Sequence, residues 1–129
     1  MFDHLSLPVT DIPRARRFYD AVLGALAIPR VWAEDRALGY GSRDTGAAYL
    51  TLRLAAAVSP PAAHTAFRAP SRDAVAAFHE AGLAQGGRCD GPPGPRPHYG
   101  PSYYAAFLLD PDGNRIEAVH RDAHRAGPG

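Results

Sequence analysis

The chain repeats itself at a fixed step, and that repeat constrains its fold more than any other feature. With His4 laid on His64, Phe18 falls on Phe78, Asp20 on Glu80, Ala21 on Ala81 and Leu23 on Leu83, all at an offset of 60. Five pairs at one offset indicate a duplicated unit that folds twice in the same way. Each copy opens with a strand. Leu5, Leu7 and Val9 share one face while His4 and Ser6 share the other, and later Phe67 points inward while His64 and Ala66 point outward. Each strand then runs into a helix. From Pro13 to about Leu26, Ala15, Phe18, Val22 and Leu26 recur at helical spacing, with Arg14, Arg16, Arg17 and Asp20 on the wet side; Thr10 or Asp11 can cap it. Ser71 caps the second helix, Val75, Phe78, Ala81 and Leu83 supply its apolar positions, and Gly86-Gly87 ends it.

Three short strands are expected in the first copy, at 28–34, 37–41 and 47–54, before an aperiodic linker containing Pro60-Pro61. In the second copy the stretch 91–97, GPPGPRP, reads as a stiff loop. Tyr103 to Leu109 and Arg115 to His120 then flank Asp110-Pro111-Asp112-Gly113-Asn114, a turn sequence, and make a β-hairpin. The pattern predicts an α+β protein of two tandem βαβββ modules forming a curved, incomplete barrel-like sheet. A single domain spans 1–120 (module one 1–54, linker 55–62, module two 63–120), and 121–129 is expected to be a flexible tail.

Glu117 sits mid-strand in the hairpin, where a bare carboxylate is costly to bury without a partner. A metal ion shared with histidines would be such a partner. If a pseudo-twofold axis relates the modules, His4 and His64 occupy equivalent positions facing one concavity. The counterpart of Glu117 in module one is then Thr51, because Leu50, Leu52 and Leu54 read as the core face.

Charge and cysteine content narrow the classes of partner. The formal charge of 129 residues is +1, every basic side chain is arginine, and no basic run occurs, which speaks against nucleic-acid binding. A single cysteine, Cys89, cannot form an internal disulfide and fits a reducing compartment. The start of the sequence has no signal-peptide pattern, and no apolar run approaches the roughly 20 residues of a membrane helix. A soluble, cytoplasmic protein is expected, without a membrane partner.

DHLSLPVTDIPRARRFYDAVLGAL at 3–26, AHTAFRAPSRDAVAAFHEAG at 63–82 and FLLDPDGNRIEAV at 107–119 resemble the vicinal oxygen chelate superfamily. That superfamily includes glyoxalase I, extradiol dioxygenases, and fosfomycin- and bleomycin-resistance proteins. The resemblance covers nearly the whole chain and is nearest to small single-domain bacterial glyoxalase-like members. It implies a divalent metal ion (iron, manganese, nickel, zinc or cobalt) held by His4, His64 and Glu117. Such an ion leaves adjacent coordination positions open to a small molecule with vicinal oxygens. The activity implied is that of a glyoxalase-type lyase or isomerase, or of a ring-cleaving dioxygenase, and a homodimer is implied as well. A different class, the metal-free sequestering protein of bleomycin-resistance type, shares the fold.

The sequence departs from glyoxalase I at one point. Its fourth protein ligand falls in module one near Tyr49-Leu50-Thr51-Leu52-Arg53, which contains no Glu, Gln or His. Two histidines and one glutamate are closer to the extradiol dioxygenase triad. Acid/base parts fall to Glu117, to His98 on the proline-rich loop and to Tyr103 or Tyr104, of which Tyr104 is taken as the candidate; the two alternate faces, so at most one lines the pocket. His79 is expected to face solvent, His120 the strand face away from Glu117, and Cys89 to be inert. Trp32 and Arg53 are placed in packing and on a solvated strand end.

Overall fold

The computed structural model describes residues 3–59 and 64–121. Two βαβββ modules follow one another. The first comprises β1 (Leu5–Val9), α1 (Ile12–Gly24), β2 (Arg30–Glu34), β3 (Ala37–Gly41) and β4 (Ala48–Leu54). The second comprises β5 (Thr65–Arg68), α2 (Arg72–Ala84), β6 (Arg88–Pro95), β7 (Tyr103–Leu109) and β8 (Arg115–Arg121). The two helices occupy ranges related by the same offset of 60, and so do their caps. Asp11 accepts from the Arg14 amide at 2.9 Å, and Ser71 accepts from the Ala74 amide at 3.0 Å. Each cap satisfies one of the amides that a helix start leaves without a partner.

The sheets repeat as well, with orders β1-β4-β3-β2 and β5-β8-β7-β6. In each, the first strand pairs in parallel with the last and the rest is antiparallel. The two remain separate four-stranded sheets and do not close into a barrel. The parallel register carries the duplication to the last strands. Ser6 pairs with Thr51 and Ala66 pairs with Glu117, so Thr51 stands where module two has Glu117.

The 91–97 stretch is the clearest departure from the sequence reading, since most of it belongs to β6. This strand pairs only with β7, and its register shifts between Cys89 and Gly91 and again between Gly91 and Gly94. Proline lacks an amide to donate, and an edge strand with bulges tolerates that. The expected tail falls on 122–129, outside the described residues, and so does 60–62 of the expected linker.

One core joins the modules. Phe18, Tyr19, Val22 and Leu23 of α1 pack in the same cluster as Val75 and Phe78 of α2 and Leu108 and Ile116 of the hairpin. The turn between β7 and β8 fastens the modules together. Asp110, 2% exposed, accepts from the Tyr19 hydroxyl at 2.6 Å, from the amides of Asp112 and Asn114, and from the Asn114 side chain. Asn114 also donates to the Pro8 carbonyl at 2.8 Å, and Asp112 accepts from Thr10 and Arg14. Gly113 takes φ = 90°, a left-handed conformation open to glycine at little cost. What the sequence showed as a hairpin turn is thus also the clasp holding module one to module two.

Candidate functional site

Alternation along β8 puts Ile116 and Ala118 into the helix-covered core and turns Glu117 to the opposite face. There the carboxylate is 1% exposed, and each oxygen has a partner. His64 Nε2 lies 2.8 Å from Oε1, and the Tyr103 hydroxyl donates to Oε2 in a short hydrogen bond. The imidazole is half exposed and meets the ring of Phe107 edge-on at 6.2 Å; Phe107 pairs directly with Glu117. The buried carboxylate is therefore held by two polar groups, which lowers the cost of burying it.

Tyr103 reaches this position along the sheet. Its register partner is Arg121, and the Ala105–Val119 pair lies between it and Glu117 on the same face. Ala105, fully buried, is small enough to let the phenol pass over. Burial, followed by the hydrogen bond and the negative charge of Glu117, pushes the Tyr103 hydroxyl up to about 12, against the opposing influence of Arg121. The phenol thus keeps its proton throughout the neutral range. Arg121 lies over the Tyr103 ring, 4.9 Å from its centroid, and the Tyr99 ring meets it at a tilt, with centroids 5.1 Å apart.

The other candidates separate. Tyr104, the expected catalytic tyrosine, belongs to the opposite face. It packs against the core cluster beneath the Arg72 guanidinium, in register with His120, which contacts the Ala69 carbonyl. Tyr104 shares its parity with Ala106 and Leu108, whose apolar side chains mark the core, whereas Tyr103 shares the parity of Phe107. That comparison was available in the sequence. His98 lies on the loop after β6, its ring tilted against that of Tyr99 at 4.2 Å; Tyr99 in turn meets Tyr103, whose hydroxyl contacts Glu117. His79 is drawn from its expected solvent position to Cys89, with Nε2 3.1 Å from Sγ, and partial burial lowers its pKa. Trp32 packs over Gly39, where no Cβ could be accommodated beside the indole.

His4 immediately precedes β1, half exposed, with Nδ1 3.0 Å from Asp3. It lines a cleft of about 960 Å³ that is bordered by residues of both edge strands, β1 and β5, and by His64. Among the described residues no three His, Cys, Asp or Glu side chains come together in a way that could hold a metal ion. His64 and Glu117 have the right chemistry for a divalent ion, a neutral imidazole and a carboxylate on one spot. Within one chain they are two donors, not three. In module one the equivalent spot holds Thr51, whose hydroxyl lies 3.0 Å from that of Ser6.

Paired βαβββ modules with a histidine–glutamate pair on the sheet face define the class of protein. The chain belongs to the Glyoxalase/Bleomycin resistance protein/Dioxygenase superfamily, whose family model matches residues 1–118. It is similar to a glyoxalase/bleomycin resistance protein of Albidiferax ferrireducens T118, at 39% identity over 94% of this chain and 99% of that one, with a TM-score of 0.77. A glyoxalase-related enzyme of Fulvimarina pelagi shares the fold at 22% identity, over 94% of this chain and 88% of the other (TM-score 0.73). Glyoxalase I of Zea mays does so at 23% identity; the match covers 92% of this chain and 45% of the maize chain (TM-score 0.71). No functionally curated protein matches the sequence.

Proposed function

We propose that this protein is a metal-dependent enzyme acting on a small molecule with vicinal oxygens, by glyoxalase-type isomerisation or lysis or by ring-cleaving dioxygenation. The observation that carries this reading is the Glu117 carboxylate, buried on a sheet face and contacted by His64. In this reading His64 and Glu117 hold the ion, and His4 of a second copy completes the set in a homodimer. A divalent ion bound there acts as a Lewis acid toward two substrate oxygens. The chain's own residues do the rest. Phe107 packs edge-on against the His64 imidazole, His64 presents a nitrogen to the carboxylate, and Tyr103 holds one oxygen in place while keeping its own proton at neutral pH. Thr51, standing where a fourth acidic ligand would be, favours chemistry that needs three donors.

The test is metal content, measured on protein purified without chelator and on His4→Ala and Glu117→Ala. Near-stoichiometric metal in the wild type and loss in each variant are expected. If His4 acts across a dimer, unfolding and refolding the two variants as an equal mixture restores about a quarter of the wild-type metal, because only mixed dimers carry one intact site of two. Iron or manganese would direct assays to catechols; nickel, zinc or cobalt to hemithioacetals and epoxides. One observation favours a second reading. Both Glu117 oxygens already have partners, so the face is stable as a metal-free binding surface of the sequestering kind. Wild-type protein that takes up none of these ions would leave that reading in possession.

A further inference from the structure

We infer that the substrate of this face is a planar, carboxylate-bearing molecule, anchored by Arg68 and Arg121. The inference rests on the reading that the Glu117 face is the substrate site, and it is independent of the metal. Arg121 shares the face of Glu117 by strand parity. Arg68, on the neighbouring edge strand, shares the face of Ala66, the register partner of Glu117. From its pairing with Val119, Arg68 stands one strand and two residues from Arg121, which puts their Cα atoms about 8 Å apart, close enough for both guanidinium groups to reach one anion. Neither forms an ion pair with an acid among the described residues, so their charges are not neutralised there. Glu117, two residues from Val119 on the side away from Arg121, is already taken by His64 and Tyr103.

Aromatic rings stand beside Arg121. Tyr99 is 57% exposed, and its ring meets that of Tyr103 at a tilt of 59°. Tyr103 in turn carries Arg121 over its ring. A guanidinium has five N–H donors, so contact with one tyrosine leaves others for a carboxylate, and an exposed ring beside it offers a surface for a flat ligand. A neutral ligand would leave both arginines unused. A bulky saturated one would leave the rings unused.

Two probes of equal shape, 1-naphthoate and 1-naphthalenemethanol, test this by calorimetric titration of the full chain at low salt. Naphthoate is expected to bind about tenfold tighter than the alcohol or better, the range of a charge-assisted hydrogen bond. Arg121→Gln and Arg68→Gln should each weaken naphthoate by about tenfold and leave the alcohol unchanged, and Arg121→Lys should restore part of the loss. Thermal melts of each variant establish that it is folded. Equal affinity for acid and alcohol, no detectable binding of either at millimolar concentration, or arginine variants that weaken both probes alike would each overturn the assignment. Repeating the titration on His64→Ala and on chelator-treated protein separates the two proposals. Acid selectivity that survives metal loss upholds this inference when the metal reading fails, and metal content that survives in the arginine variants upholds the metal reading when this one fails.

Discussion

Glu117 lies on the face of the second sheet turned away from the helices, and its neighbours there set what it can do. Its carboxylate is balanced between an imidazole and a phenol, so removing either partner leaves a buried oxygen without a donor. Tyr103→Phe is expected to cost about 1–3 kcal/mol of stability in urea denaturation. Tyr104→Phe removes a hydroxyl on the other face and leaves Glu117 with both partners, so it should not alter binding at this site. The sequence made His64 and Glu117 legible because an isolated histidine and an isolated acid both fell on the polar side of alternating strands. Alternation put Tyr103 and Tyr104 on opposite faces without saying which one shares the face of Glu117; parity with Phe107, the register partner of Glu117, decides it. Nor did the offset between His4 and His64 say whether one chain brings them to a common ion. Equivalent positions in two modules are a statement about symmetry, and the distance between them depends on how the modules pack.

At the level of elements, the helices were readable to within two residues because caps and apolar spacing are local signals. Strand β6 was not, since its prolines and glycines are turn residues by composition, and only pairing with β7 makes them a strand. The DPDGN turn was half legible. Its backbone shape follows from proline and glycine, but its side chains serve the other module. Asp110→Ala removes four accepted hydrogen bonds and leaves the buried Tyr19 hydroxyl without an acceptor. A loss of about 3 kcal/mol is expected, against about 1 kcal/mol for Tyr19→Phe, which spares the turn's internal bonds. Chemical denaturation of both variants checks the difference. Equal losses would mean that the clasp works through the Tyr19 contact alone.

For the molecule as a whole, four tyrosines hold their protons above the ordinary range, Tyr49 among them through burial. Burial raises Tyr19 first, reinforced by Asp110; burial raises Tyr40, reinforced by Asp20; and Tyr103 is raised to about 12. An acid whose folded pKa exceeds its unfolded value binds its proton more tightly when folded. Its contribution is complete below about pH 10 and is lost as pH rises through the folded values. The midpoint of thermal unfolding should therefore be insensitive to these groups at neutral pH and fall steadily above pH 10. Tyr19→Phe should flatten that fall. A midpoint that is constant from pH 9 to 12 would contradict the burial of these hydroxyls.

The clasp also bears on the order in which the molecule is assembled. Thr10 meets Asp112, and Pro8 meets Asn114, across more than a hundred positions of sequence. On a ribosome, module one emerges with its strands and helix complete, yet Tyr19 has no acceptor and the α1 surface no cover until the last hairpin has left the exit tunnel. The first half of this protein must wait, exposed, for nearly the last residues of the second. A duplication that made the two halves alike in shape has left them unequal in time.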